Sequence, residues 1–216
     1  MKMTLKQNYN LLVKRIWNPK IYDYEFNFRK AILNSLVLKL NDYSNFEIKN
    51  YQIAPDEKQK IIDIILYHFY EKKNLEIEDL TLKCFWISNI LRDFLKEAFG
   101  INSIVTTGNV YVNKLRVNYE SYSSIRKRLL IADYIAPIKF HTWLTLDNLD
   151  VIDLTLAPNM WIDGIKNGSI LNRKDYEKIV WNSTKKTDKK GIIYEPKIIG
   201  YEYFNKINVP IRLLMS

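Results

Sequence analysis

Apolar residues recur at helical spacing through most of the first hundred positions and at strand spacing through much of the remainder. Leu5, Tyr9, Leu12 and Ile16 predict a helix over 4–17, stopped by Asn18-Pro19. Phe28, Ile32, Leu36 and Leu40 predict a second over 26–41, with Asn41-Asp42 as its exit. The 43–54 stretch is ambiguous, and Phe46, Ile48 and Tyr51 hint at a short extended piece. Pro55-Asp56 followed by Gln59 opens a third helix, striped by Ile61, Ile62, Ile65, Leu66 and Phe69 and ending near Lys73. His68 lies beside that stripe and reads as a boundary or core histidine.

The longest amphipathic pattern is Leu82, Phe85, Trp86, Ile90, Leu91, Phe94, Leu95 and Ala98, running to Gly100 as a natural C-cap. So much apolar surface predicts a central, mostly buried helix. With Thr81 as N-cap, Cys84 falls at the third helical position, among backbone N–H groups that have no intrahelical partner.

Residues 103–112 (SIVTTGNVYV) read as a strand with Gly108 at a bend or bulge. An insertion over 113–137 comes next, with a helix around 122–132 whose Arg126, Lys127 and Arg128 read first as a solvated face. The segment 139–158 (KFHTWLTLDNLDVIDLTLAP) predicts two strands about a polar turn. If that hairpin is symmetric about Asp147, His141 stands opposite Asp153, at the Cβ separation of about 4.5–5.5 Å that suits an imidazole–carboxylate hydrogen bond. A shared face requires an odd number of loop residues, three or five. Beyond Pro158 the pattern weakens: 161–172 looks irregular, 173–181 reads as a short helix, 183–191 as a basic loop, and 192–204 and 207–214 as strands.

Composition narrows the chemistry. Among 216 residues, six Gly and six Pro leave little room for linkers, and a 47% hydrophobic content is that of a globular domain. The amino terminus breaks up its apolar residues with Lys, Gln and Asn, and no apolar run reaches 18 residues. The expectation is a soluble, cytoplasmic protein with no membrane partner. The net charge of +9 comes without any recognised nucleic-acid motif, so a basic nucleic-acid-associated protein is kept only as a minor reading, one that steep salt dependence of binding would support. One Cys and two His fall short of a zinc signature, and neither a metal nor a cofactor is implied.

The one Cys is a free thiol, and alone it reads as a small core hydrophobe. A helix N-terminus and a nearby imidazolium would both favour its thiolate. Cys84 with His141 as acid and base, and Asp153 to fix the imidazole, forms a set able to cleave or transfer acyl groups through a thioester.

With Phe99-Gly100-Ile101 leading into Val105-Thr106-Thr107-Gly108, then His141-Thr142-Trp143 and Val151-Ile152-Asp153-Leu154-Thr155, the chain resembles the transglutaminase-like superfamily of papain-fold cysteine enzymes. The resemblance covers about 75 of the 216 residues. It implies an α+β fold, with a central helix packed on an antiparallel sheet and an N-terminal helical extension. Residues 1–75 would be the extension, 76–160 the catalytic core and 161–216 the completion of the sheet, within one domain. It also implies a catalytic Cys84, His141 and Asp153 and an enzyme acting on amide-type bonds, with peptide or protein substrates. Trp86, Trp143 and Arg126 are candidate substrate contacts, and the insertion is expected to lie over the cleft. Family members often carry a small residue before the Cys, where this chain has Leu82-Lys83. The Cys84 N–H is one expected oxyanion donor, and the second is not assigned. The competing reading is a catalytically inactive binding module of the same fold with Cys84 buried.

Overall fold

The computed structural model describes residues 23–40, 46–113, 115–132, 138–166, 178–182 and 191–208. The helix expected over 4–17, the exit at Asn41-Asp42, residues 183–190 of the basic loop and the strand beyond Asn208 lie outside them. The helices are α1 (Tyr24–Val37), α2 (Pro55–Leu66, continued by a π-helical stretch Tyr67–Lys72), α3 (Ile77–Leu80), α4 (Cys84–Phe99), α5 (Tyr122–Ile131), α6 (Leu156–Lys166) and α7 (Glu202–Lys206). The strands are β1 (Ser103–Val112), β2 (Leu115–Asn118), β3 (His141–Leu146), β4 (Val151–Asp153), β5 (Val180–Asn182) and β6 (Ile192–Ile199). The fold is α+β, and every strand pairing is antiparallel.

β1 organises the sheet. β3 pairs along 103–108 and β6 along 106–112, so they flank β1 on opposite edges where those ranges overlap. β2 pairs with the far end of β1, β4 with β3, and β5 with β4. Strand alternation then divides the buried side chains between two layers. Val105, Leu144 and Ile152 pack with Ile61, Ile65, Ile87, Leu91 and Leu95 of α2 and α4. Ile104, Trp143, Val151 and Tyr194 pack on the other face with Tyr24 and Phe28 of α1.

Gly108 lies at a register shift between β1 and β6, and there the bulge expected from sequence occurs. A Cβ on Gly108 would stand 2.1 Å from the backbone oxygen of Glu195 and 3.0 Å from the Lys197 nitrogen. Gly108→Ala is therefore expected to push β6 from β1 and cost about 3 kcal/mol. For a chain of this length that lowers the thermal midpoint by about 6–12 °C, readable by calorimetry.

Several elements depart from the sequence reading. α1 buries Tyr24, Phe28, Ala31 and Ser35, while Leu36 is exposed, so its inner face is turned from the predicted Ile32–Leu36 stripe. Polar contacts set that rotation: Asn34 Nδ2 donates to the Lys197 carbonyl, and Ser35 Oγ accepts the Ile199 N–H. The 46–53 segment forms no strand; it lies against the β3–β4 loop, with the Lys49 N–H on the Asp147 carbonyl.

The second strand of the hairpin ends at Asp153, and helix α6 covers 156–158, expected to be strand, and 161–166, expected to be irregular. Pro158 fits that helix because it falls in the first turn, where no N–H is required. Of the helix expected over 173–181, residues 173–177 lie outside the described ones, and Val180 and Trp181 instead pair with β4 as part of β5; 202–204, expected to be strand, belong to α7.

The β3–β4 loop has the odd length that the face argument requires. Leu146 pairs with Asp150, leaving Asp147, Asn148 and Leu149 as a three-residue loop with Leu149 at φ +71°. Its centre is Asn148 rather than Asp147, as the Leu144–Ile152 and Thr145–Val151 pairs require. His141 and Asp153 thus share a face as diagonal neighbours instead of standing directly opposite. The loop is buried and clamped by Lys49 on Asp147 at 2.9 Å and Lys58 on Asp150 at 2.6 Å.

Candidate active site

Cys84 is the first residue of α4, not the third. Thr81 caps the C-terminus of the short α3 and donates its hydroxyl to the Glu78 carbonyl, so it is not available as the N-cap of α4. Lys83 takes that position, without a side-chain cap. The earliest bond of α4 runs from the Ile87 N–H to the Lys83 carbonyl. The N–H groups of Cys84, Phe85 and Trp86 are the first-turn donors that such a helix cannot pair internally. Cys84 as a residue is half-buried.

α4 is seated on β3 beside this end, where Ser88 Oγ donates to the Thr142 carbonyl. The contact brings Cys84 to the start of β3. The thiol there meets both the His141 ring and the Thr142 N–H.

His141 is 1% exposed, and its Nε2 lies 2.7 Å from Asp153 Oδ2. The bond leaves Nδ1 as the ring nitrogen not engaged by Asp153. Asp153, also 1% exposed, accepts from both sides. Oδ2 takes His141 and the Tyr194 hydroxyl at 3.0 Å, while Oδ1 takes the Thr155 N–H, the Thr155 hydroxyl and the Leu156 N–H at 2.9–3.0 Å. Asp153 therefore orients the histidine and caps α6 at once.

The electrostatics arise from these contacts. Burial alone pushes the Cys84 thiol up, but the hydrogen bond and charge of His141 and the Thr142 N–H outweigh it, and the thiol lies below its ordinary value. Burial would likewise depress His141, yet the charge and hydrogen bond of Asp153, with Cys84, raise it to about 10. Burial raises Asp153, and the His141 imidazolium with the Thr155 and Tyr194 donors brings it below the usual carboxylate range. All three shifts act in the same sense, favouring the thiolate–imidazolium pair beside an ionised Asp153.

Trp143, a candidate substrate contact from sequence, has no exposed surface. It lies beneath the site, its ring 6.4 Å from that of His141 and 4.9 Å from that of Tyr194. Its Nε1 donates to the Tyr24 hydroxyl at 2.9 Å, and that oxygen continues to Thr145 Oγ1 and Thr106 Oγ1. Trp86 is half-buried against the α2–α4 layer, and Arg126 is exposed on α5.

The insertion is anchored near the cysteine. Ile125 of α5 is buried with Phe140, Tyr203 and Phe204, and Phe85 stacks on Phe204 at 3.8 Å. Glu120 accepts from Ser124, Arg128 and the Lys139 N–H, which joins the insertion to the chain entering β3.

No family model, curated protein or solved structure matches the chain. The assignment of the site therefore rests on its own geometry.

Tyr194 and the Thr142 backbone are absent from the sequence reading. Tyr194 reaches Asp153 only because β6 returns along β1, a long-range pairing with no local signature. Thr155 belongs to the Asp153-Leu154-Thr155 run, and its hydroxyl and N–H on Asp153 are the reason for that spacing. His68 is half-buried and stacks on Phe94 at 4.1 Å, away from the triad. A cavity of about 300 Å³, lined by Ile53, Ile61, Ile64, Phe99 and Ile101, opens at the far end of α4. A 16-residue helix, about 22 Å long, separates it from Cys84. Among the described residues no group of three or more metal-ligating side chains gathers, and no helix is long and apolar enough to cross a membrane.

Proposed function

We propose that the chain is a transglutaminase-like cysteine hydrolase or acyltransferase, acting through a thioester on an amide-type bond of a peptide or protein. The observation that carries this reading is the connected set Cys84, His141 and Asp153, with the thiol lowered and the imidazole raised by their mutual contacts. The arrangement of α4 on β1 and β3, with the nucleophile opening the helix and its partners on β3 and β4, supports a papain/transglutaminase-like core.

In the reaction, Sγ of Cys84 attacks the carbonyl carbon while the His141 proton passes to the departing nitrogen, breaking the C–N bond and leaving a thioester. Water or an amine then adds to the thioester, gives its proton to His141 and releases the thiolate. The Cys84 N–H, at the positive end of α4, is placed to stabilise the oxyanion of both steps. The anchoring of α5 beside Phe85 supports a role for the insertion in substrate choice.

Alkylation of the one cysteine by iodoacetamide between pH 5 and 9 tests the reading. The wild type should label rapidly well below pH 8. In His141→Ala the hydrogen bond and charge of the imidazole are gone and burial, the largest influence on the thiol, is opposed by the Thr142 N–H without them, so labelling at pH 6 should slow about 100-fold. A wild-type profile like that of an ordinary thiol, or no labelling short of unfolding, would favour a binding module instead.

A further inference from the structure

The turn that delivers the nucleophile is held by a residue outside the triad. The chain leaves α3 at Thr81, passes through Leu82 at φ +57° and enters α4 at Cys84. That backbone region is disfavoured for any residue with a Cβ. Side-chain packing does not impose it, because Leu82 is 84% exposed, and the N-cap Lys83 adds no side-chain bond.

Asn159 supplies the constraint. Its Oδ1 accepts the Leu82 N–H at 2.9 Å, a contact between positions 77 residues apart. Asn159 is the fourth residue of α6, and its own N–H bonds the Thr155 carbonyl. The start of the same helix is fixed by Asp153 through the Thr155 and Leu156 N–H groups. The carboxylate that orients His141 therefore also seats the helix that clasps the turn before Cys84.

We propose that Asn159 is a positioning residue which, by holding Leu82 in its left-handed conformation, keeps the Cys84 thiol within hydrogen-bond reach of His141. The inference rests on the thiolate–imidazolium reading above. It adds a mechanical link between the Cys84 and Asp153 ends of the site. Losing the clasp lets Leu82 relax toward ordinary backbone angles, which swings the first residue of α4 and separates the thiol from its partner. Glycine occupies the left-handed region without help. Leu82→Gly should therefore make the clasp dispensable.

The experiment measures iodoacetamide labelling from pH 5 to 9 in the wild type, Asn159→Ala, Leu82→Gly and the double variant, with circular dichroism to verify folding. Asn159→Ala should lose the acid part of the profile, its rate at pH 6 falling at least about tenfold, and the double variant should regain most of it. An Asn159→Ala profile identical to wild type would overturn the inference. So would a folded double variant that fails to recover, since the residue would then be structural only. If Asn159→Ala does not fold, the double variant decides: folding with acid labelling supports the clasp, and failure of either refutes it. An ordinary-thiol profile in the wild type would be a different failure, that of the underlying ion-pair reading.

Discussion

Asp153→Asn should slow turnover by about 10⁴-fold and reduce stability by about 3 kcal/mol. The substitution keeps an oxygen for the Thr155 and Leu156 N–H groups, so the α6 cap survives. It places an amide N–H where His141 Nε2 and the Tyr194 hydroxyl both donate. The imidazole then has to present a bare Nε2, the imidazolium is disfavoured, and the thiol loses the charge that lowers it. Stability should depend on pH in a specific sense. The His141 contribution is fully present below its ordinary value of 6.5 and is lost as pH rises toward about 10. The Asp153 contribution is present above its ordinary 3.8 and is lost as pH falls through its lowered folded value. The gap between wild type and variant in urea denaturation should be widest near pH 5–6 and shrink toward pH 10.

The second large effect falls on Trp143. Trp143→Ala removes a fully buried indole and should cost about 3–5 kcal/mol. It also withdraws the donor to the Tyr24 hydroxyl and the surface against which Tyr194 packs. Trp86→Ala, at a half-buried position of the other layer, should cost less. Denaturant midpoints of the two variants, measured side by side, give the comparison. Equal losses would contradict the placement of Trp143 beneath the site.

The residues of the site are legible in the sequence, whereas much of its geometry is not. The helix from Cys84 to Gly100 declares itself through one long apolar stripe and a left-handed C-cap at φ +66°. His141 and Asp153 declare themselves through strand alternation and the parity of the loop between them. Local pattern cannot place the start of α4, because Thr81 suits an N-cap but is taken by the four-residue α3, held by a capping box of Glu76 and Asp79. The hairpin centre lies one residue beyond the expected one because Leu149 adopts a left-handed angle usually left to glycine or asparagine. α6 has a visible signal in Thr155 followed by Pro158, but the apolar run Val151 to Leu156 reads equally well as strand. The face of α1 is hidden for a different reason: it is decided by Asn34 and Ser35 bonding to β6, some 160 residues away.

The way Cys84 meets its partners makes the chemistry conditional on folding. His141 and Asp153 lie 57 and 69 positions downstream, and α4, β3 and β4 must all be in place before the three side chains can interact. A chain still being synthesised, or one that has unfolded, therefore carries only an ordinary thiol with a pKa of about 8.5. Structure normally shields a partly buried cysteine from electrophiles. On the proposed thiolate–imidazolium pairing the native state should be the more reactive one in mildly acidic solution, so that thiol reactivity there would report how much of the protein is folded.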